Sequence, residues 1–141
     1  MLFRSSDVLA LLLRADLIHQ AHMIRPEQRG PRDLMRTRLR LVAKCVSAQN
    51  SIDRLLEKFN LTDVAELGEL YQLQAGCHAA QIAQLTQQIA TVERALYPYL
   101  LPNADVQRLL WIPGLGKVNA FTIYTEIDGI TRFPTPRQFF S

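Results

Sequence analysis

The residues most suited to chemistry in this chain are Ile112-Pro113-Gly114-Leu115-Gly116-Lys117. Proline cannot continue a helix, and the two glycines permit the positive φ values a tight reversal uses. Without side chains, Gly114 and Gly116 let backbone N–H groups and the N-terminus of a following helix face an anion, and Lys117 adds a formal positive charge. An apolar-x-Gly-apolar-Gly string followed by Ala120 at a close-packing position is a helix-hairpin-helix pattern, whose usual anion is a nucleic-acid phosphate. A plain helical hairpin turning on glycine is the simpler alternative.

A second basic feature lies upstream. Residues 25–44 hold seven basic groups (Arg25, Arg29, Arg32, Arg36, Arg38, Arg40 and Lys44) against Glu27 and Asp33, a local charge of +5. Residues 45–100 hold three basic and six acidic groups, a local −3, so one segment carries the basic character of a chain whose net charge is only +3. Arg32, Arg36, Arg40 and Lys44 recur every four residues and form one helical stripe. A solvated, salt-bridged face would need acids three or four residues away. Only Asp33 is available, so the stripe reads as a phosphate contact. Arg38 falls on the apolar side and is expected to pair with a carboxylate across a helix interface.

Other chemistries find little support. Cys45 and Cys77 have no paired spacing, and His19, His22 and His78 have no neighbouring carboxylate cluster, so neither a disulfide framework nor a zinc site is indicated. Glu126 and Asp128 are two apart and diverge on a helix. No apolar run has the length of a membrane span, and the six-residue run Val8–Leu13 lacks a cleavage site, which points to a cytoplasmic protein and no membrane partner.

The elements that must position these residues are all helical. Ser6 caps a short helix to Ala15 with Leu9, Leu12 and Leu13 on one side, too small to bury itself, and residues 16–29 form a connection. Pro31 suits the first position of a long helix running to about Phe59. Met35, Arg38, Val42, Cys45, Gln49, Ile52, Leu56 and Phe59 alternate spacings of three and four, a heptad seam. A short helix capped by Thr62 or Asp63 interrupts. A second long helix at about 74–97 repeats the alternation through His78, Ile82, Leu85, Ile89, Val92, Leu96 and Tyr99, with Pro98 and Pro102 bracketing its exit. The seams can fold back on each other or pair with a second copy. Asn103 then caps a helix to Trp111, and another opens at Lys117 and ends near Ile127, before an Asp128-Gly129 turn. Trp111, Phe121, Tyr124 and Phe133 are assigned to the core of this module rather than to base stacking. Residues 137–141, RQFFS, read as a helix just beginning, cut at its end. The fold class is all-α: two long helices of coiled-coil character followed by a helix-hairpin-helix.

In this order the blocks resemble the middle of a DEDD-type insertion-sequence transposase, a family that includes the related pilin-gene DNA invertases. Leu9, Ala10, Leu12, Leu13 and Arg14 match the end of the family's RuvC-like domain. Arg32, Asp33, Leu34, Arg36, Arg38, Leu41 and Val42 match the start of its coiled coil. Ile112–Gly116, Ala120, Glu126, Ile127, Arg132 and Phe133 match the opening of its C-terminal transposase domain. The resemblance implies residues 1–29 as a RuvC-like remnant and connector, 30–100 as coiled-coil helices, and 101–141 as the start of the transposase domain. It also implies DNA as partner, structured RNA of the element as a further one, and a homo-oligomer through the long helices.

The departures bear on catalysis. Ser5 stands where the family has its final acidic residue, and Asp7 reads as an ordinary first-turn residue. The family's nucleophilic serine would follow beyond Ser141. One carboxylate cannot hold the two divalent cations of a RuvC-like nuclease. No cofactor is therefore expected in this chain, although full-length relatives are expected to use Mg2+. The expected function is that of a transposase fragment: DNA-binding, nucleic-acid contacts at Gly114, Gly116, Lys117, Arg32, Arg36, Arg40 and Lys44, catalytically incomplete by itself. The alternative is a stand-alone, non-enzymatic helix-hairpin-helix DNA-binding dimer.

Overall fold

The computed structural model describes residues 5–15, 17, 23–130, 133 and 135. The expectations placed on His19, His22, Arg132 and the Phe139–Ser141 end lie outside those residues. Among the described residues the elements are α1 (Ser5–Arg14), α2 (Pro26–Phe59), a 3-10 turn (Val64–Glu66), α3 (Glu69–Leu100), α4 (Ala104–Leu110) and α5 (Lys117–Ile127), with no strand. The fold is all-α.

α2 and α3 are each about 50 Å long at the rise of an α-helix. Phe59 packs at a tilt against Tyr71 at one end, ring centroids 4.8 Å apart, and Arg38 meets Glu93 towards the other, so the pair is antiparallel and forms within one chain. α2 ends because Asn60 adopts the left-handed conformation that asparagine tolerates, and Leu61 N–H returns to the Leu56 carbonyl at 3.0 Å. Asp63, one of the two expected caps, accepts a hydrogen bond from Ala65 N–H and opens the 3-10 turn.

Both long helices outrun their expected limits, and in each case packing overrides proline. α2 begins at Pro26, which takes the first helical position, and leaves Pro31 inside the helix at the loss of one backbone hydrogen bond. The added turn carries Arg25 and Gln28, both held by residues of the α5 end. α3 continues through Pro98 to Leu100 because Leu96 and Leu100, one turn apart, are both buried. That choice turns Tyr99, an expected seam residue, out to solvent.

The core sits where the start of α2 meets the end of α3 and the α4–α5 pair. Met35 of α2, Leu96 and Leu100 of α3, Val106 of α4, and Phe121 and Tyr124 of α5 form one buried cluster. Along the rest of the helix pair only Ala48, Ala75 and Leu85 are buried, and seam residues such as Val42, Cys45, Ile52, Ile82 and Ile89 remain half-buried. Ala48 lies outside the expected seam; its small side chain lets the helices approach there. The apolar residues Val8, Leu9, Leu11, Leu12 and Leu13 of α1 are all exposed.

Candidate nucleic-acid interface

The segment joining α4 and α5 is a type II turn. Leu115 N–H donates to the Ile112 carbonyl at 3.1 Å, Pro113 fills the second position, and Gly114 has φ +85° in the third. Gly116 differs from the expectation of positive φ at both glycines. It has φ −74° and ψ 164°, serving as the extended N-cap of α5, and a Cβ built on it would meet nothing within 4 Å. One glycine supplies the reversal; the other supplies an N-cap without a side chain. No side-chain hydrogen bond caps α5, whose first turn therefore keeps N–H groups for an outside acceptor. Lys117 is exposed, with Nζ 5.6 Å from the centre of the Tyr97 ring. On the other side of the turn, Asn103 caps α4 as expected by accepting from Asp105 N–H at 2.9 Å.

Trp111 departs from its core assignment. Val106, Leu109 and Leu110 face the core, which places Trp111 at the C-cap of α4, where the chain swings out; it is 84% exposed. Phe121 and Tyr124 do occupy the core.

The basic stripe of α2 divides into two parts. Glu126 of α5 accepts from Arg36 Nε at 2.7 Å, Arg36 Nη2 at 2.9 Å and Arg32 Nε at 2.9 Å. Two guanidiniums on one carboxylate hold it charged: the Arg36 hydrogen bond, with a further contribution from Arg32, lowers the Glu126 pKa from 4.5 to about 2. This partner is not visible in the spacing of α2, since it comes from ninety residues away. Arg25 is bound to Asp128 by Nε at 3.0 Å, and Arg38 to Glu93 at 2.6 Å, the cross-helix pair its apolar position suggested. Arg40 and Lys44 remain exposed, with no acidic partner among the described residues.

Tyr124 completes the junction. Its hydroxyl accepts from Gln28 Nε2 at 3.0 Å and Asn103 Nδ2 at 2.7 Å, tying α2, the α4 cap and α5 to one buried atom. These polar links fix how the α4–α5 turn sits relative to α2.

An apolar cleft of about 250 Å³ lies between α4 and α5 and is lined by Leu109, Ile112, Ile123, Ile127 and Ile130, with Asp105 and Arg108 paired at its edge. No group of three or more His, Cys, Asp or Glu gathers among the described residues, and Glu126 and Asp128 are engaged by arginines. The described residues thus do not fit a two-cation site. Cys45 and Cys77 are free thiols. No helix among the described residues is long and apolar enough to cross a membrane.

Residues 106–141 match the transposase IS116/IS110/IS902 family. The chain is similar to the transposase for insertion sequence element IS1111A of Coxiella burnetii (strain RSA 493 / Nine Mile phase I), 28% identical over 130 residues. That similarity covers 79% of this chain and 36% of the relative, so the chain spans about a third of the relative's length. No solved structure matches.

Proposed function

We propose that this relative of the insertion-sequence transposases is the nucleic-acid-binding part of such a protein, with α4, the Pro113-Gly114 turn and α5 acting as a helix-hairpin-helix. The observation that carries the reading is the uncapped start of α5 behind a glycine N-cap, with Lys117 as its first residue. The surroundings favour an anion: from Val106 to Thr125 the only charged side chains are Arg108 and Lys117. A phosphate held by backbone N–H groups and a point charge is read for charge, not sequence. Arg40 and Lys44 offer a second contact. Arg32 and Arg36 act first through Glu126, as residues that position the hairpin.

In this reading the chain is catalytically incomplete by itself, and α2 and α3 are the coiled-coil part through which copies associate. The half-buried seam and exposed Leu39, Val46, Leu70 and Leu73 support that association. DNA is the primary ligand, and structured RNA is a second ligand of the same phosphate chemistry. The test is fluorescence anisotropy with labelled duplex DNA over a salt series. Wild type should bind with affinity falling as salt rises, and Lys117→Ala should lower the slope of log affinity against log salt by about one without unfolding the chain. Equal slopes for the two proteins would sink the hairpin as a phosphate site.

A further inference from the structure

Trp111 is the chain's only tryptophan, and it stands almost fully in solvent at the entrance to the turn. Large aromatic surfaces are ordinarily drawn into a core or onto a partner. Its neighbour Ile112 is also 51% exposed. Packing does not demand this placement, because Val106, Leu109 and Leu110 already supply the apolar face of α4. The charge around it leans positive. Arg108 lies one turn before Trp111 with its side chain 74% exposed and paired with Asp105 at 3.0 Å, Lys117 opens the helix after the turn, and no acid occurs between Val106 and Thr125. An exposed ring on the same turn as Lys117 and the uncapped start of α5 suits a ligand with a flat apolar face and an adjacent negative charge. A nucleotide has both, provided its base is unpaired.

We infer that Trp111 is a stacking platform for an unpaired base whose backbone phosphate is held by the start of α5 and Lys117, giving the chain a preference for single-stranded or locally opened nucleic acid over intact duplex. This inference rests on the nucleic-acid reading above and narrows its substrate class. Stacking of a base on an aromatic side chain tolerates any sequence, since every base has a π face. A second protein surface is the competing occupant, and the ring's own fluorescence separates the two.

The experiment uses the full chain, a labelled oligothymidylate, and a duplex of the same length. Because the chain has one tryptophan, its emission reports on Trp111 alone. The expected results are quenching of that emission as the single strand binds, and tighter binding to the single strand than to the duplex. Trp111→Ala should weaken single-strand binding about tenfold while Trp111→Phe retains most of it, consistent with the cost of losing one stacked base. Both variants should keep the wild-type circular dichroism, since the Trp111 side chain is 84% exposed. Binding seen by anisotropy without quenching, and unchanged in Trp111→Ala, would overturn the stacking role and leave the phosphate site standing. Failure of both oligonucleotides to bind would overturn both readings, and duplex binding without single-strand binding would overturn the stacking role alone. Emission that shifts to the blue with protein concentration alone, together with self-association lost in Trp111→Ala, would assign the ring to a protein interface and overturn the proposal.

Discussion

Arg25 binds the carboxylate of Asp128 twice, with its backbone N–H on Oδ2 at 3.2 Å and its Nε on Oδ1 at 3.0 Å, across 103 residues of sequence. The carboxylate is fully buried, whereas half of the Arg25 side chain is in water. The contact joins the residue that precedes α2 to the residue that ends α5. Asp128 also sits at φ +56°, a conformation that aspartate and asparagine tolerate and alanine resists. Asp128→Ala should therefore lower unfolding free energy by about 2 kcal/mol, and Asp128→Asn by roughly half as much, because Asn keeps an acceptor for the Arg25 amide and accepts the left-handed backbone. Urea unfolding followed by circular dichroism gives both values. Equal losses for the two variants would mean that charge, not local geometry, dominates at this position.

The Glu126 pair gives a pH dependence of fixed sign. Its folded pKa is about 2 against 4.5 ordinarily, chiefly through the Arg36 hydrogen bond. A depressed carboxylate pKa contributes stability that is fully present above pH 4.5 and lost as pH falls towards 2. The carboxylate is about a third exposed, so solvent screening reduces the contribution to about 1–2 kcal/mol. Thermal melts of wild type should lose midpoint between pH 5 and 3 (about the span below the ordinary carboxylate pKa). Glu126→Gln should show a shallower loss over that range and a lower midpoint at neutral pH.

The two glycines of the turn should respond differently to the same substitution. Gly114 needs φ +85°, so Gly114→Ala forces a Cβ into the left-handed region at a cost of about 1–2 kcal/mol. Gly116 has an ordinary φ of −74° and open space where a Cβ would lie, so Gly116→Ala should leave stability within about 0.5 kcal/mol of wild type. If the start of α5 holds a phosphate, Gly116→Ala still weakens binding, by crowding the approach to the N–H groups. A Gly116 variant that folds and binds like wild type would confine the role of this position to the turn.

What was legible in the sequence was local. The Asn103 cap, the start of α5 at Lys117 and the Asp128-Gly129 turn follow from residue types that act on their own backbone. What was not legible depends on contacts made across the chain. Pro31 and Pro98 read as helix limits because local sterics oppose them, yet Asp128, Tyr124 and the buried Leu96–Leu100 pair hold the helices through both prolines. Arg32 and Arg36 read as free cations because their carboxylate lies on α5. Trp111 read as core because its type favours burial, while the end of α4 turns it outward. Arg38 succeeded for the reason the others failed: its apolar position implied a distant partner, and Glu93 is that partner.

The divided stripe leads to the last prediction. Arg32 and Arg36 are engaged by Glu126, and the hairpin is anchored through them; Arg40 and Lys44 continue the same helical row with no acidic partner among the described residues. Substituting Arg40 and Lys44 together by Ala should leave the unfolding midpoint within experimental error, since exposed, unpaired side chains contribute little to stability. It should also lower the salt slope of nucleic-acid binding by up to about two, one for each phosphate contact removed. Substituting Arg32 and Arg36 by Ala should do the reverse in order of size: stability falls because Glu126 loses both partners. Binding then weakens because the hairpin is no longer held in place. Glu126→Gln adds the deciding comparison. It frees the two guanidiniums from a full negative charge, so if they were latent phosphate contacts, binding would tighten and the salt slope would rise. Should Glu126→Gln weaken binding instead, with the slope unchanged, the arginines serve the hairpin's position and the phosphate track runs through Arg40, Lys44 and Lys117.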